Sequence, residues 1–230
     1  MKKLAIIPAR GGSKRIPRKN IRSFLGKPII AYSIEAALQS SLFDEVMVST
    51  EDAEIADIAT QYGAKVPFRR SNQTAGDYAT TVEVLLEVLQ AYSDRGEDFV
   101  QACCIYPTAP FVQAELLDRA YQLLYKGAYD SVFPVLRFSF PIQRALKINA
   151  AQRMELFQPK HLSTRSQDLE PAYHDAGQFY WFDVEKIKLQ KKLWTDNTGV
   201  LVLSELEAHD IDQEEDWKIA ELKYQLQRHG

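Results

Sequence analysis

Short runs of apolar residues alternate along this chain with segments in which apolar side chains recur every three or four positions. The first run, residues 3–8, is almost free of polar side chains and predicts a buried strand that opens the fold. Runs of the same kind predict further strands at residues 45–49, 65–68, 99–106, 131–136, 177–182 and 200–203.

Helical periodicity fills most of the intervals between these strands. The clearest helix is expected at residues 80–92, where apolar side chains share one face and Thr80 with Glu83 fits a reciprocal capping box. A second helical pattern, at residues 52–62, is expected to stop at Gly63. The same periodicity predicts helices from Pro28 onward, at residues 114–125 and at residues 214–227.

Strands that alternate with helices predict an α/β fold, in which helices cover a parallel sheet through right-handed crossovers. Ligands of such folds bind beyond the carboxyl ends of the strands. The alternation breaks between Arg137 and Tyr173, in a stretch rich in Phe, Pro, Gln and Arg. We therefore expect a single domain over residues 1–230, with an inserted lid or subunit contact at about 137–173.

Composition narrows the class of protein. The chain has 230 residues, of which 46% are hydrophobic and 26% charged, as in an ordinary globular domain and unlike a disordered chain or a coiled coil. No apolar run approaches the ~20 residues that span a bilayer. Pro8 and Arg10 interrupt the first apolar stretch, so a secretory signal is not expected and the predicted location is cytoplasmic.

Charge is distributed unevenly between the two ends of the chain. The totals are 28 basic and 31 acidic residues, but nine of the basic ones lie in residues 1–34, which contain no acidic residue. Residues 205–216 are, in contrast, crowded with Asp and Glu. A basic start and an acidic end indicate an anion site and a cation site. Nucleic acid is not an expected partner, because such binders are more often basic overall.

The two cysteines, Cys103 and Cys104, are adjacent within a predicted strand. Neighbouring strand residues point to opposite faces, so the two thiols are poorly placed to form a disulfide with each other. We expect small buried apolar side chains, since further metal ligands are lacking nearby.

The loop after the first strand is the strongest candidate for chemistry. Gly11 and Gly12 are expected to adopt positive φ and to let the backbone approach an oxygen-rich group, while Arg10, Lys14 and Lys19 supply charged donors. The loop lacks the Gly-Lys-Ser/Thr ending of a Walker A motif and the Gly-x-Gly-x-x-Gly dinucleotide pattern. A polyphosphate site is the favoured interpretation, and a solvated basic turn is the alternative.

The acidic end offers a candidate metal site. Asp210 and Asp212 are two residues apart, so an extended backbone points both carboxylates the same way. Paired carboxylates suit Mg²⁺, which commonly adds substrate phosphates and water. Alternatively, Asp212 caps the helix that is predicted to begin near Glu214.

Several segments together resemble one enzyme family, the cytidylyltransferases that activate nine-carbon acidic sugars, known as CMP-sialic acid synthetases. The resemblance is greatest to the branch that acts on pseudaminic acid. It implies a Rossmann-like, mostly parallel sheet with helices on both faces, of the nucleotide-diphospho-sugar transferase type. The segments that carry it are residues 6–20, 69–81, 106–110, 138–143, 164–168, 173–180 and 209–212.

The resemblance also implies roles for individual residues. Those expected to bind the nucleotide are Arg10, Gly11, Gly12, Lys14, Lys19, Asn20, Arg70 and Thr81. For Arg70 a solvated strand end, and for Thr81 the first position of a helix, are equally credible. Asp210 and Asp212 correspond to the family's magnesium site. Those expected to face the sugar are Tyr106, Arg165, Gln178 and Tyr180, although the sialic acid enzymes have Gln in place of Tyr106.

The predicted reaction joins CTP to pseudaminic acid and yields CMP-pseudaminic acid and pyrophosphate by direct in-line attack of the anomeric hydroxyl on the α-phosphate. Arg10, Lys19 and Asp212 are the expected catalytic residues. The family's dimers imply a homodimer in which the inserted segment reaches across the partner's active site. Alternatives are a synthetase for CMP-N-acetylneuraminate, CMP-legionaminate or CMP-Kdo, and a nucleotide-binding module without turnover.

Overall fold

The structure, a computed structural model, describes residues 2–229, with the side chains of residues 2–227. Its strands are β1 (Lys3–Pro8), β2 (Ser23–Phe24), β3 (Lys27–Pro28), β4 (Glu45–Ser49), β5 (Gln101–Ile105), β6 (Ser131–Arg137), β7 (Leu146–Ile148), β8 (Met154–Leu156), β9 (Tyr173–Asp175), β10 (Phe179–Asp183) and β11 (Thr198–Leu203). Its α-helices are α1 (Ile29–Gln39), α2 (Ala53–Gln61), α3 (Asn72–Ala75), α4 (Thr81–Ser93), α5 (Ala114–Gly127), α6 (Val184–Gln190) and α7 (Glu214–His229).

Seven strands form one central sheet in the order β11-β6-β10-β5-β1-β4, and β9 pairs with the end of β6 beyond β10. The strands β4, β1, β5, β6 and β11 run in one direction. Only β9 and β10 run antiparallel to them in this sheet of the described chain. The predicted mostly parallel sheet is confirmed.

Successive side chains of each strand point to opposite faces of the sheet, so the buried residues form two cores, one on each face. Ile7 and Cys103 pack with α1, α2 and α5, whereas Ile6 and Cys104 pack with α4 and α6. The two thiols thus lie on opposite faces, as predicted, and burial raises the pKa of each. Helices on both faces of the sheet confirm the predicted layers.

Two predicted helix ends, the start of α4 and the end of α2, are confirmed by the structure. Thr80 and Glu83 form the reciprocal capping box at the start of α4. Gly63, with φ of 94°, follows the end of α2. Within the described chain, no helix combines the length and apolar character needed to cross a membrane.

The predicted strand at residues 65–68 is wrong. Lys65 makes a single parallel bridge with Met47, and residues 66–68 do not belong to a strand. Pro67 lacks the N–H that would continue the ladder.

Helix α6 was not predicted; it starts directly after β10, where the Asp183 side chain accepts a hydrogen bond from the Lys186 N–H at 3.1 Å.

A third cluster joins the two ends of the chain. Ile16 from the basic loop and Ile211 from the acidic segment are both fully buried in it, together with Phe24 and Trp217. Arg22 lies over the Trp217 ring, with its guanidinium carbon 4.6 Å from the ring centroid. This packing places the basic loop beside the acidic segment and therefore builds the site.

Candidate active site

A cavity of about 480 Å³ opens beyond the carboxyl ends of β1 and β5, where the fold predicts a ligand. The basic loop forms one wall, and the start of α4 with the residue after β5 forms another. The charged and polar side chains that line it include Arg10, Ser13, Lys14, Arg15, Lys19, Asn20, Arg70, Asp77, Thr81 and Tyr106.

Acidic residues after β4 hold the basic loop in place. The Gly11 N–H donates to Glu51 Oε1 at 2.6 Å, and Arg18 Nη1 and Nη2 lie 2.5 and 3.0 Å from the two carboxylate oxygens of Asp52. The hydrogen bond to Arg18 lowers the pKa of Asp52 to about 2. Asn20 adds a hydrogen bond from Nδ2 to the Arg10 carbonyl oxygen at 2.8 Å. The loop is thus anchored from two sides.

The expected reason for Gly11 and Gly12 is corrected by this geometry. Neither residue is among the glycines with positive φ. A Cβ on Gly11 would lie 2.5 Å from Asp52 Oδ2, so this glycine permits close packing against the anchoring carboxylate. A Cβ on Gly12 would meet open space.

Arg10 and Lys14 converge on one carboxylate. Arg10 Nη1 lies 3.0 Å from Asp77 Oδ1, and Lys14 Nζ pairs with the other oxygen of the same group. The Lys14 hydrogen bond, reinforced by the charges of Lys14 and Arg10, lowers the pKa of Asp77. An anionic oxygen therefore already lies between the two cations.

Lys19 connects the basic loop to the acidic segment. Its Nζ donates to the Ile211 carbonyl oxygen at 2.6 Å and lies 3.7 Å from Asp212 Oδ1. Arg15 Nη2 lies 2.8 Å from the same Asp212 oxygen. Burial lowers the pKa of Lys19, although the charges of Asp212 and Asp210 oppose the shift. Arg15 was not among the predicted site residues, but the charge run that contains it was the available signal.

The two aspartates flank a fully buried Ile211. Desolvation, together with the charge of Asp212, raises the pKa of Asp210. At the start of α7 the Asp216 Oδ2 accepts from the N–H groups of Asp212 and Gln213 at 2.9 and 2.8 Å, whereas the Asp212 side chain pairs with Arg15 and Lys19. Among residues 2–227, whose side chains the structure describes, no group of three or more His, Cys, Asp or Glu side chains is arranged as a metal site. The metal role of Asp210 and Asp212 stays a prediction.

Arg70 and Thr81 both line the cavity. Arg70 is only 6% exposed, and its Nη2 donates to the Ser49 carbonyl oxygen at 2.7 Å, so it is not a solvated strand end. Burial lowers the pKa of Arg70. Thr81 is the first residue of α4, and its Oγ1 lies 3.4 Å from Tyr106 Oη.

Tyr106 and Tyr180 lie side by side, with ring centroids 5.4 Å apart. The Tyr180 hydroxyl donates to Asp175 Oδ2, and burial raises the pKa of both phenols. Gln178 is buried nearby and donates from Nε2 to the Ala176 and His209 carbonyl oxygens at 3.2 and 3.3 Å. Asp175 was missed, although it lies inside one of the segments that carry the resemblance.

Arg165 is the one predicted site residue that lies apart from the others in the described chain. It lies in the segment at 137–173 that was expected to be an insertion and is exposed, and its Nε lies 2.7 Å from Asp168 Oδ2. None of the hydrogen bonds or ion pairs of the described residues joins it to the cavity. Its role as a sugar contact stays a prediction.

A basic cavity at the carboxyl edge of a mostly parallel sheet, next to a carboxylate pair, defines an α/β nucleotidyltransferase. Residues 4–219 match the cytidylyltransferase family model, and the chain belongs to that family. It is 43% identical over 227 residues to a pseudaminic acid cytidylyltransferase of Campylobacter jejuni, covering 98% of this chain and 97% of the relative.

Two further comparisons concern another curated relative and a solved structure of similar fold. The chain is 35% identical to a CMP-N,N'-diacetyllegionaminic acid synthase of Legionella pneumophila, covering 98% of this chain and 97% of the relative. Its fold matches that of a CMP-2-keto-3-deoxy-manno-octonic acid synthetase complexed with CTP, with a TM-score of 0.69, 17% identity and complete coverage of both chains.

Proposed function

We propose that this enzyme joins CTP to pseudaminic acid and releases CMP-pseudaminic acid and pyrophosphate. The 43% identity to the Campylobacter jejuni relative over nearly the full length of both chains supports the choice of sugar. The choice of sugar also agrees with Tyr106, which stands where the sialic acid enzymes have Gln.

The observation that carries the proposal is the convergence of Arg10 and Lys14 on a single carboxylate at the cavity wall. Carboxylate and phosphate oxygens accept hydrogen bonds from the same cationic donors. We therefore infer that a phosphate oxygen of CTP takes the place of the Asp77 carboxylate between Arg10 and Lys14. Lys19 and Arg15 extend the positive wall toward the aspartates.

In the proposed reaction the anomeric oxygen attacks the α-phosphorus in line, and the bond from that phosphorus to the β-phosphate bridging oxygen breaks. The hydroxyl proton leaves to solvent. Negative charge builds on the equatorial oxygens and on the leaving pyrophosphate, so catalysis rests on positioning and charge neutralisation. Arg10 and Lys19 supply that neutralisation from the anchored loop.

We assign Mg²⁺ to Asp210 and Asp212. Desolvation and the charge of Asp212 raise the pKa of Asp210, and a cation would offset both effects; hard oxygen donors are those that Mg²⁺ prefers. When held by these two residues, Mg²⁺ would lower the pKa of a hydroxyl bound to it and would neutralise phosphate charge. Arg15 and Lys19 pair with Asp212, so a metal ion that binds there would compete with these two cations.

We also propose a homodimer formed through the inserted segment at 137–173. Exposed apolar side chains are concentrated there: Phe138, Phe140, Ile142, Leu146, Ile148, Met154, Phe157, Leu162 and Tyr173. Such a patch is typical of a protein–protein interface. A second copy would bring Arg165 over the neighbouring cavity, where its guanidinium can pair with the sugar carboxylate.

Pyrophosphate release tests the proposed function. The purified chain is assayed with CTP and, separately, pseudaminate, legionaminate, N-acetylneuraminate and Kdo. The highest kcat/KM is expected with pseudaminate. A higher value with another sugar would reassign the substrate, and CTP binding without pyrophosphate from any sugar would make the chain a nucleotide-binding module.

A further inference from the structure

Residues 76–79 form a short strap beside the cavity, between the end of α3 and the start of α4. Asp77 of this strap lines the cavity, whereas the Tyr78 side chain is fully exposed. The strap has one internal backbone hydrogen bond, and its other described hydrogen bonds and ion pairs go to Arg10 and Lys14. Two cations of the basic loop therefore hold the strap against the cavity.

The segments on either side of the strap are fixed by other contacts. Glu87 of α4 accepts from the Ser71 N–H at 2.8 Å and from the hydroxyls of Ser71 and Thr74 at 2.6 Å, which holds α3 against α4. On the other side, the capping box at the start of α4 makes no use of the strap. Release of Asp77 from the basic loop therefore leaves α3 and α4 in place, and only the strap has to move.

Asp77 offers the basic loop the same chemistry as a phosphate group. Its two oxygens pair with different cations, Oδ1 with Arg10 Nη1 at 3.0 Å and Oδ2 with Lys14 Nζ. All three side chains are partly exposed, so the ion pairs are weak enough to exchange with a ligand. A phosphate that binds both cations must first separate them from this carboxylate, which lowers its apparent affinity.

We propose that Asp77 is an internal competitor for the phosphate site: its carboxylate holds Arg10 and Lys14 in the free enzyme, releases them to CTP and pairs with them again as pyrophosphate leaves. The inference rests on the proposed function and adds to it a residue that lowers the affinity for the triphosphate and for the leaving group. Asp77 is a positioning residue, because it acts through the two cations and does not contact the reacting atoms.

The test measures the binding of inorganic pyrophosphate and of CTP by calorimetry, without sugar, without added metal and at fixed salt. Asp77→Asn keeps the size of the side chain and removes its charge. It is expected to bind both ligands about threefold to tenfold more tightly than the wild type, the range that two partly exposed ion pairs support. A structural role for Asp77 predicts the opposite sign, because loss of a contact that shapes the site weakens binding. Asp77→Glu restores the carboxylate and should return both affinities toward the wild-type values.

Glu54→Gln is the matched control. Glu54 also pairs with an arginine of the basic loop, Arg18 Nη2 at 2.5 Å, but neither residue lines the cavity. The variant removes the same charge beside the same loop, and pyrophosphate affinity should not change. In Lys14→Ala one of the competing pairs is already absent, so the addition of Asp77→Asn should tighten pyrophosphate binding less than it does in the wild type. Unchanged or weaker binding in Asp77→Asn, or equal tightening in Glu54→Gln, would overturn the inference.

Product inhibition measures the consequence for turnover. In assays with CTP and pseudaminate, added pyrophosphate should inhibit Asp77→Asn at lower concentrations than the wild type, by the same factor as the change in binding. An equal inhibition constant in the two proteins would overturn the role of Asp77 in pyrophosphate release.

The binding outcomes do not depend on the sugar, so they separate this inference from the function on which it rests. Turnover of pseudaminate together with unchanged pyrophosphate binding in Asp77→Asn overturns the inference alone. Binding of CTP and pyrophosphate without turnover of any acidic sugar overturns the proposed function, and the sign of the Asp77→Asn effect still decides the competition at the phosphate site. A wild-type chain that binds neither ligand overturns both.

Discussion

The ammonium group of Lys19 donates a hydrogen bond to the carbonyl oxygen of Ile211, the residue between Asp210 and Asp212, at 2.6 Å. This bond connects positions 192 residues apart. It joins the basic loop to the segment that holds Asp210 and Asp212, so a change on either side is expected to affect the other.

Replacing Arg10 tests the basic wall. Arg10→Ala is expected to lower kcat by about two orders of magnitude or more, since it removes an oriented donor to developing negative charge. Pyrophosphate release with saturating CTP measures the effect. Arg119→Ala, which alters an exposed arginine 3.7 Å from Glu207, is the control and should keep normal turnover. A near-normal rate for Arg10→Ala would remove this residue from the mechanism.

Asp212 and Asp216 are expected to differ in what they support. Asp212→Asn should abolish the dependence of activity on added Mg²⁺ and shift Tm by no more than about 2 °C, because its ion pairs are partly exposed. Asp216→Ala removes the acceptor at the start of α7 and should lower Tm by about 3 °C while the metal dependence persists. Metal titration and thermal melts of both variants separate the two roles. Unfolding of Asp212→Asn would contradict this assignment.

The anchor of the basic loop has a measurable pH dependence. The carboxyl group of Asp52 has a pKa of about 2 in the folded protein, below its ordinary value near 4. Ionised Asp52 therefore stabilises the folded state above about pH 4, and this contribution is lost as the pH falls toward 2. The size is about 2 kcal/mol. Urea titrations from pH 6 to pH 2 should show a flatter stability profile for Asp52→Asn than for the wild type. Asp57→Asn changes an exposed aspartate on α2, the helix that Asp52 caps, and should leave the profile unchanged.

Tyr106 is expected to influence the choice of sugar. Tyr106→Gln should shift the ratio of kcat/KM values by about tenfold from pseudaminate toward N-acetylneuraminate, because the change removes one phenol from the wall and introduces an amide that both donates and accepts. Competition assays with both sugars and CTP measure the ratio. Tyr125→Gln, at an exposed tyrosine on α5, serves as the control. An unchanged ratio would show that position 106 does not discriminate between these sugars.

The proposed interface is tested at its most exposed apolar position. Ile148 is 74% exposed in the single chain, and Ile148→Asp should convert a dimer into a monomer in sedimentation velocity. Sugar KM should rise, because Arg165 of the second copy is lost, while CTP affinity stays. Leu189→Asp changes a residue that is 79% exposed outside the inserted segment and should remain dimeric. A wild-type monomer would contradict the dimer outright.

Features that depend on neighbours in the sequence could be predicted without the structure. The spacing of the apolar residues is sufficient to predict most strands and helices, and four residues, from Thr80 to Glu83, are sufficient to predict the capping box. The opposite faces of Cys103 and Cys104 follow from strand geometry alone. The failures, such as the strand expected at 65–68, lie where one proline outweighs a short apolar run.

Contacts between distant segments required the folded chain. The amino-acid order revealed a basic start, an acidic end and a motif around Tyr180, but not that Ile16 and Ile211 share one buried cluster and so bring the two ends together. The roles of Glu51 and Asp175 could not be assigned from the sequence, because the donors that they accept from, the Gly11 N–H and the Tyr180 hydroxyl, are brought to them only by folding. Periodicity is a property of neighbouring residues, whereas the direction of a hydrogen bond across the cavity depends on tertiary packing.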